Sequence, residues 1–361
     1  MKECLIIDKI LAIFFWGTSF CTLILRLMKK TMTQFLENGV RKKSFNIWPS
    51  GPVATHGRAS LQNFKLFALL CFLIIFLPSD GELLAEEREE VEEEDPYVES
   101  IFRSHRVINN HSVENLDQHV IDFRVNHRFG PVRDQGAHNL FGLDNARSRL
   151  TFDYGLTDRM MVGIGRTSAR KIYDGYYRVN LLQQRKDDRM PLTLTWFSNM
   201  SHISDRGFIP GEDDFSRSYR LSYVNQLIFG RQFHENFAFQ ISPTLVHKNL
   251  VPEDDLENTL GTIGFGGRIQ FIRSSSITFE YLMMDPTSES SDHYRNGISL
   301  GVDIETAGHV FQLHFTNSRE MSERSFLAEN PGADEDDEWY DVPIHFGFNL
   351  SRMYDFSKDY D

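Results

Sequence analysis

Cysteine is nearly absent from this sequence, and its few positions are informative. The chain of 361 residues has three cysteines, Cys4, Cys21 and Cys71, all near the N-terminus. The rest of the chain therefore cannot form a disulfide framework, a cysteine zinc site or a cysteine nucleophile.

After the first 85 residues the sequence contains little lysine and carries a net negative charge. Residues 86–361 contain 28 basic side chains, only four of them lysine, against 46 acidic ones, a net charge of −18 (28 − 46). Binding to nucleic acid requires a positive field around the phosphates, so we expect no nucleic-acid partner. The apolar fraction of 41% also argues against a bundle of transmembrane helices.

Two apolar runs near the N-terminus have features of targeting segments. The second, residues 66–77, follows Lys65, ends before Pro78 and is too short to span a bilayer comfortably, which is typical of a secretory signal peptide. We predict a signal peptide over 65–85. Residues 1–64, which hold the first run, are interpreted as a leader extension from a start codon placed too far upstream; a real inner-membrane anchor is the alternative. Residues 86–117 follow as an acidic linker and N-terminal segment, its glutamate-rich start solvated and extended.

From residue 118 onward the dominant pattern is alternation with a period of two. Ile121 and Phe123 alternate with Asp122 and Arg124, and twelve segments of about ten residues repeat this texture. Period two places successive side chains on opposite faces of a strand. The sequence therefore predicts an all-β, antiparallel transmembrane β-barrel of about 12 strands over 118–355, with a C-terminal tail at 356–361.

The lengths of the connections give a second indication of a membrane barrel. Connections after odd-numbered strands are predicted to be long (130–144, 167–175, 199–215, 247–258, 285–296 and 318–341), and those after even-numbered strands tight. Short periplasmic turns and long extracellular loops are the plan of outer-membrane barrels. A soluble barrel or sandwich also alternates, and its apolar face would point inward. We expect a bacterial outer-membrane location, with the acidic loop 318–341 solvated.

The alternation also sorts side chains by face. Polar residues sharing one face are predicted to line the lumen: Asp122, Arg124, Arg128, Arg147, Arg149, Asp153, Arg178, Arg220, Arg268, Glu280, Asp303, Glu305, His314 and His345. Apolar residues on the other face are predicted to contact lipid: Phe123, Phe152, Phe239, Phe311, Leu313, Phe315, Phe346 and Phe348. Arginine bonds carboxylates bidentately, so crossed pairs would brace the wall, and such ladders can also line a path for charged solutes.

Several short motifs resemble a known family. These are Arg106–Glu114, Asp122–Gly130, Phe141–Asp144, Tyr154–Arg159, Val162–Arg166, Pro243–His247, Gly308–Ser318 and Ile344–Ser351. Together they resemble an uncharacterised family of outer-membrane β-barrel proteins from Bacteroidetes, catalogued as domain of unknown function 5777. The resemblance covers roughly residues 98–355. It implies a barrel and a membrane location, and no catalytic residue.

Chemical motifs are few. The glycine-rich run 261–267 lacks the Lys-Ser/Thr and the helix that a phosphate loop requires. His314 and Ser318 invite comparison with outer-membrane phospholipase A, but that chemistry needs both groups together on the lipid face. His314 and His345 on neighbouring strands lack a third metal ligand. We predict no catalytic residues, no metal and no cofactor.

Three functions remain open at this point. The first is a narrow channel or small-solute binding barrel, and the second is a structural or interaction barrel that presents acidic extracellular loops. The third is a membrane-embedded lipid hydrolase. The expected partners are outer-membrane lipids and the barrel-assembly machinery, with any solute or protein partner unknown.

Overall fold

The computed structural model describes the barrel and the segments inside it. The described residues are 96–132, 142–143, 145–205, 217–251, 256–288, 290, 293–306, 308–330 and 342–356. The predicted signal peptide, the leader extension and most of the acidic stretch lie outside the described residues.

Twelve strands make up the wall. Their bounds are β1 (Val120–Pro131), β2 (Arg147–Thr157), β3 (Met160–Thr167), β4 (Ile172–Leu182), β5 (Thr193–Ile203), β6 (Leu221–His234), β7 (Phe237–Lys248), β8 (Thr259–Ile272), β9 (Ser275–Met284), β10 (Gly297–Thr306), β11 (His309–Thr316) and β12 (His345–Asp355).

The strands form one closed antiparallel barrel in which each pairs with its sequence neighbours and β1 pairs with β12. In the closing pair, Val125 lies opposite Leu350 and Asn126 opposite Asn349. Closure pairs every strand on both sides, so no sheet edge is left unsatisfied. The predicted twelve-stranded antiparallel barrel is confirmed.

The two faces of the wall differ as the alternation requires. On β11, Leu313 and Phe315 are 44% and 53% exposed, whereas Gln312 and His314 between them are each 1% exposed. The outside is therefore apolar and the inside polar on this strand. An apolar outer surface with every backbone group paired suits hydrocarbon. Among the residues that the structure describes, no helix is long and apolar enough to cross a membrane.

The connections segregate by length at the two ends, with two exceptions. At what we call the short-turn end, residues 158–159, 235–236, 273–274 and 307–308 link consecutive strands. The long-loop end was predicted to hold a long connection at 167–175, and this prediction is wrong. The chain reverses over 168–171 because Arg170 and Lys171 both adopt a left-handed φ of 49°.

The connection between β4 and β5, residues 183–192, is longer than the other short turns. It binds the N-terminal segment: Tyr97 forms an antiparallel bridge with Arg185, and the Val98 amide donates to the Gln184 carbonyl over 3.0 Å. The extra length thus supplies a short piece of sheet that anchors residues 96–98 at the rim.

The β11–β12 loop was expected to be solvated, and its described part is not. Residues 321–330 are buried, and within them lies the helix α1 (Glu323–Ala328). The expectation followed from the acidic run 334–338, which lies outside the described residues. Residues 321–330 instead contribute Phe326 and Leu327 to an apolar cluster inside the barrel, because burying these side chains favours the inward position.

Candidate functional site

The lumen is occupied from the short-turn end by a loop of the N-terminal segment. Residues 101–116, which we call the luminal hairpin, run into the barrel and return. Arg106 and His111 form an antiparallel bridge, and the Val107 amide donates to the Asn110 carbonyl over 2.9 Å to close the tip. The sequence predicted an N-terminal segment here and gave no indication that it enters the lumen.

Two glycines of the wall make room for this hairpin. A Cβ at Gly155 would collide with the carbonyl of Asp117, where the chain leaves the lumen to begin β1. A Cβ at Gly230 would lie 2.6 Å from a methyl group of Val113. Glycine inside a strand often marks such a close approach.

The tip of the hairpin is bound to a carboxylate of the wall. Glu280 on β9 accepts hydrogen bonds from the backbone amides of Asn109 (3.1 Å) and Asn110 (2.8 Å). On the opposite side, Arg128 Nη2 donates to the Asn109 side-chain oxygen over 2.8 Å. Every group in these contacts is buried, so each hydrogen bond offsets the desolvation of its partners.

A second arginine of the wall holds the arms of the hairpin. Arg178 on β4 donates to the carbonyl oxygens of His105 (2.9 Å), Ser112 (2.6 Å) and Glu114. A guanidinium has five donors in a fixed fork, and the two arms present their carbonyls to one fork. The hairpin thus satisfies an arginine that would otherwise face the empty lumen.

The helix α1 enters from the long-loop end and meets the hairpin. Glu323 accepts a hydrogen bond from Arg106 Nη2 (2.6 Å), faces His111 Nε2 (3.1 Å) and lies 3.3 Å from Arg149 on β2. Burial alone would raise the pKa of the Glu323 carboxyl, but Arg149, Arg106 and the His111 contact outweigh it and hold that pKa well below its usual value. Glu323 therefore joins both inserts to the wall as an anion.

His111 is held neutral by the same cluster. Burial lowers the pKa of its imidazole well below the usual value, and the nearby charges of Arg106 and Arg178 lower it further, against the opposing effect of Glu323. Its ring also packs on Phe197, with centroids 3.9 Å apart.

A second carboxylate fixes the end of α1. Glu329 pairs with Arg324, lies 2.8 Å from Arg170 at the β3–β4 turn and 3.8 Å from Lys248 on β7. Burial would raise the pKa of Glu329, but Arg324 and Arg170 lower it to about 2. This ion-pair network joins the β11–β12 loop to the β3–β4 turn and to the end of β7 at the long-loop end.

The alternation predicted a polar lumen, but one side of the lumen is apolar. Inward-facing side chains of β5–β9 form a cluster with residues of both inserts: Phe197, Val224, Ile228, Ala238, Val246, Leu260, Leu282 and Met284 from the wall, with Ile101, Phe102, Val107, Val113, Phe326 and Leu327. Apolar residues at strand positions that face inward could have indicated this cluster, because such side chains need an apolar partner inside the barrel.

The structure places most of the predicted lumen-lining residues inside. Those that are buried are Asp122, Arg124, Arg128, Arg149, Asp153, Arg178, Arg268, Glu280, Asp303, His314 and His345. Arg147, Arg220 and Glu305 are only half-buried, at the rims of the barrel, and Arg220 precedes β6 in a 3-10 turn.

The predicted lipid-facing residues lie on the outer face with varied exposure. Phe152, Phe311, Leu313 and Phe315 are exposed, and Phe123, Phe239, Phe346 and Phe348 are half-buried. Contacts between neighbouring rings account for the partial burial, as for Phe123 and Phe152, whose centroids are 4.8 Å apart.

Ser318, considered for hydrolysis, and His345, considered as a metal ligand, have other contacts. The Ser318 hydroxyl donates to the Asn330 side-chain oxygen over 3.0 Å. His345 faces the Phe129 carbonyl over 3.0 Å, and in the described part of the chain no hydrogen bond joins His314 to Ser318. The only group of three closely spaced metal-ligand side chains found among the described residues is His105, Asp122 and Asp153.

A pocket of about 210 Å³ opens at the short-turn end, beneath the hairpin. Polar groups line much of it, among them His105, Glu114, Asp158 and Asn180. Arg106 and Glu323, where the two inserts meet, do not line this pocket.

Comparison with known proteins identifies the family. Residues 102–354 match the family described as a membrane-bound β-barrel domain, DUF5777. The chain belongs to this family. The family description gives a membrane-bound barrel and names no activity. No curated protein matches the chain.

Solved structures with a similar chain path include porins and an outer-membrane channel. The NanC porin has a TM-score of 0.41 and 7% identity and covers 65% of this chain and 99% of its own. The KdgM porin has a TM-score of 0.38, 8% identity and coverages of 66% and 99%. An outer membrane channel from Pseudomonas putida F1 has a TM-score of 0.39, 10% identity and coverages of 73% and 100%.

Proposed function

We propose that the protein is a small-solute channel of the bacterial outer membrane whose passage is closed, in the conformation described here, by the luminal hairpin and α1. We propose a non-enzymatic role. The observation that supports this most directly is the contact of Glu323 with Arg106, because it joins an insert from one end to an insert from the other across the lumen.

The wall around this contact has the character of a solute path. Arg124, Arg128 and Arg178 point inward, and each donates to an atom of the hairpin: Ser104 Oγ, Asn109 Oδ1 and the three backbone carbonyls. These acceptors are neutral. When the hairpin moves, the same guanidinium groups become available to solvent and to anionic solutes.

The apolar cluster opposes opening, so we expect the channel to be closed most of the time. Phe102 and Val113 of the hairpin are almost completely buried against the wall, and full burial of such side chains is worth about 1.5–3 kcal/mol each. Frequent opening must therefore be driven by a ligand, a partner or a change at the charged cluster.

Conductance in planar bilayers tests the proposal. The wild-type protein should show rare, brief openings, and Glu323→Gln should raise the open probability because Arg106 and Arg149 lose their shared carboxylate. The matched control is Asp187→Asn, which breaks an exposed pair with Arg185 (2.9 Å) on the β4–β5 connection and should behave as wild type. A silent wild type together with a silent Glu323→Gln variant, both folded, would contradict the channel and leave the interaction barrel as the better hypothesis.

A further inference from the structure

Three metal-ligand side chains meet where the first arm of the hairpin crosses the wall. His105 belongs to the hairpin, Asp122 to β1 and Asp153 to β2, and each is at most 3% exposed. His105 Nε2 lies 3.2 Å from Asp153 Oδ2, and His105 Nδ1 lies 3.5 Å from Asp122 Oδ2. One ligand atom from each of the three lies within 4.8 Å of the other two.

Each carboxylate is oriented by a donor on its far oxygen. Ser351 donates to Asp122 Oδ1 over 2.6 Å, and the Tyr176 hydroxyl donates to Asp153 Oδ1. The two Oδ2 atoms that remain face His105. Outer hydrogen bonds of this kind fix the ligands of metal sites and are typical of them.

The inner atoms of the trio have no hydrogen bond within the described residues. Asp122 Oδ2, Asp153 Oδ2 and His105 Nε2 are all buried and without a hydrogen-bond partner there. A buried polar atom left unsatisfied is costly, and a buried carboxylate oxygen especially so. Two poorly satisfied carboxylate oxygens beside one imidazole, with one ligand atom from each residue within 4.8 Å of the others, leave a place for an additional positively charged group among them.

The negative charge of Asp122 and Asp153 also favours a bound cation. Within ion-pair distance of Asp122 Oδ2 lies Arg124, whose Nη2 is 3.6 Å away and also donates to Ser104; Arg106 and Arg178 act on Asp153 from further away. The neutral imidazole is the form that binds metals.

We propose that His105, Asp122 and Asp153 form a binding site for a divalent transition-metal cation of the Zn²⁺ class. One imidazole nitrogen and two carboxylate oxygens suit Zn²⁺, which accepts three protein ligands and a water molecule. Ca²⁺ takes six to eight oxygen ligands and Mg²⁺ an octahedral set, so neither is suited by three. With bonds of about 2.0–2.2 Å the three side chains must close in slightly around the ion.

The pocket at the short-turn end supplies the entry path, because His105, Ser104 and Ser351 line it. A bound cation would attach the hairpin to β1 and β2. Binding itself does not depend on the proposed channel. Its effect on conductance, namely fewer openings with Zn²⁺ than with EDTA, does depend on it.

Calorimetric titration of Zn²⁺ into the purified, EDTA-treated full chain tests the site, with Ca²⁺ as the comparison ion. We expect one Zn²⁺ per chain and a folded barrel that resists heat better with Zn²⁺ than without. Asp153→Asn and His105→Ala should each weaken binding by about 100-fold or more, since one of three ligands is lost. His314→Ala removes another buried luminal histidine, outside the trio, and should bind as wild type. Co²⁺ in place of Zn²⁺ should give visible absorption bands that Asp153→Asn abolishes.

The outcomes are distinct. Absence of Zn²⁺ binding by the wild type overturns the site, as does binding that survives in both His105→Ala and Asp153→Asn. If His105→Ala fails to fold, Asp153→Asn decides, because it keeps the size of the side chain and the Tyr176 contact. Zn²⁺ binding by a folded protein whose wild type and Glu323→Gln variant are both silent in bilayers supports the site and contradicts the channel.

Discussion

Arg106 and Glu323 are separated by most of the sequence and lie 2.6 Å apart in the centre of the barrel, each 1% exposed. One belongs to the hairpin that enters from the short-turn end, and the other to the helix that enters from the long-loop end. Neither insert is part of the wall, so this pair connects two segments that the closed sheet does not itself hold together.

Breaking that pair should destabilise the folded barrel strongly. Glu323→Gln leaves Arg106 and Arg149 buried beside a neutral amide, and loss of one partner of a buried ion pair costs about 3–5 kcal/mol. The double variant Arg106→Met/Glu323→Leu should lose less free energy of unfolding than the sum of the losses in Arg106→Met and Glu323→Leu. Urea unfolding followed by tryptophan fluorescence measures both.

A half-exposed pair serves as the control for that cycle. Arg103 and Glu305 lie 3.0 Å apart at the rim, with Glu305 38% exposed, and Glu305→Gln should cost about 0–1 kcal/mol. Equal losses at Glu305 and Glu323 would show that the central pair has no special role.

Acid should weaken the packing of the hairpin through His111. Its pKa in the folded protein is lowered, so the unfolded chain binds the proton more readily, and stability present at pH 7 is lost as the pH falls below about 6.5. The stability of the wild type should fall more steeply between pH 6.5 and 4.5 than that of His111→Gln. The difference in slope should approach one proton, about 1.4 kcal/mol per pH unit. Parallel curves would mean that His111 titrates normally.

Substitution on the outer face should block insertion. Leu313 is 44% exposed on the apolar surface, and an arginine facing lipid at the midplane costs about 2–4 kcal/mol. Leu313→Arg should therefore lower the yield of barrel in membranes, whereas Leu313→Ala should insert almost normally. Heat-modifiable migration on a gel reports the folded fraction. Normal insertion of the arginine variant would show that this face does not contact lipid.

The neighbouring inward position should respond differently. Gln312 donates to the Val107 carbonyl over 2.8 Å and accepts from Asn349. Gln312→Arg should still insert but displace the hairpin tip. Protease sensitivity of the N-terminal segment, compared with Leu313→Ala, measures this.

Labelling of introduced cysteines tests the orientation in the outer membrane. Thr287 is exposed on the β9–β10 connection of the long-loop end, and Glu235 is exposed on a short turn. In a chain whose native cysteines are replaced by serine, Thr287→Cys should react with a membrane-impermeant reagent on intact cells. Glu235→Cys should react only after lysis, and the reverse pattern would invert the proposed topology.

The wall could be predicted from the sequence because its rules are local. Alternation such as that of Phe311 and Gln312 determines face, and most turn lengths determine the ends. The inserts could not be predicted this way. Glu280 and Arg178 were predicted to line the lumen. Only the folded chain shows that Glu280 binds Asn109 and that Arg178 binds the carbonyl of Ser112.

The trio of His105, Asp122 and Asp153 was missed for a related reason. The two aspartates were predicted to face the lumen, but their third partner, His105, lies in residues 86–117, which were interpreted as an acidic linker and N-terminal segment outside the barrel. Contacts between residues far apart in sequence are set by how an insert packs, and a period-two pattern carries no information about that packing.

Disulfide formation between Val113→Cys and Gly230→Cys tests the central claim, that the hairpin lies inside the barrel, most directly. A Cβ at residue 230 would lie 3.3 Å from the Cβ of Val113, close to the separation of about 3.5–4.5 Å in disulfides. In the folded barrel, with native cysteines replaced by serine, the pair should oxidise nearly completely and the mass should fall by two hydrogens, whereas each single variant keeps a free thiol. A folded double variant that stays reduced and reacts with maleimide at residue 113 would show that the hairpin is outside the lumen.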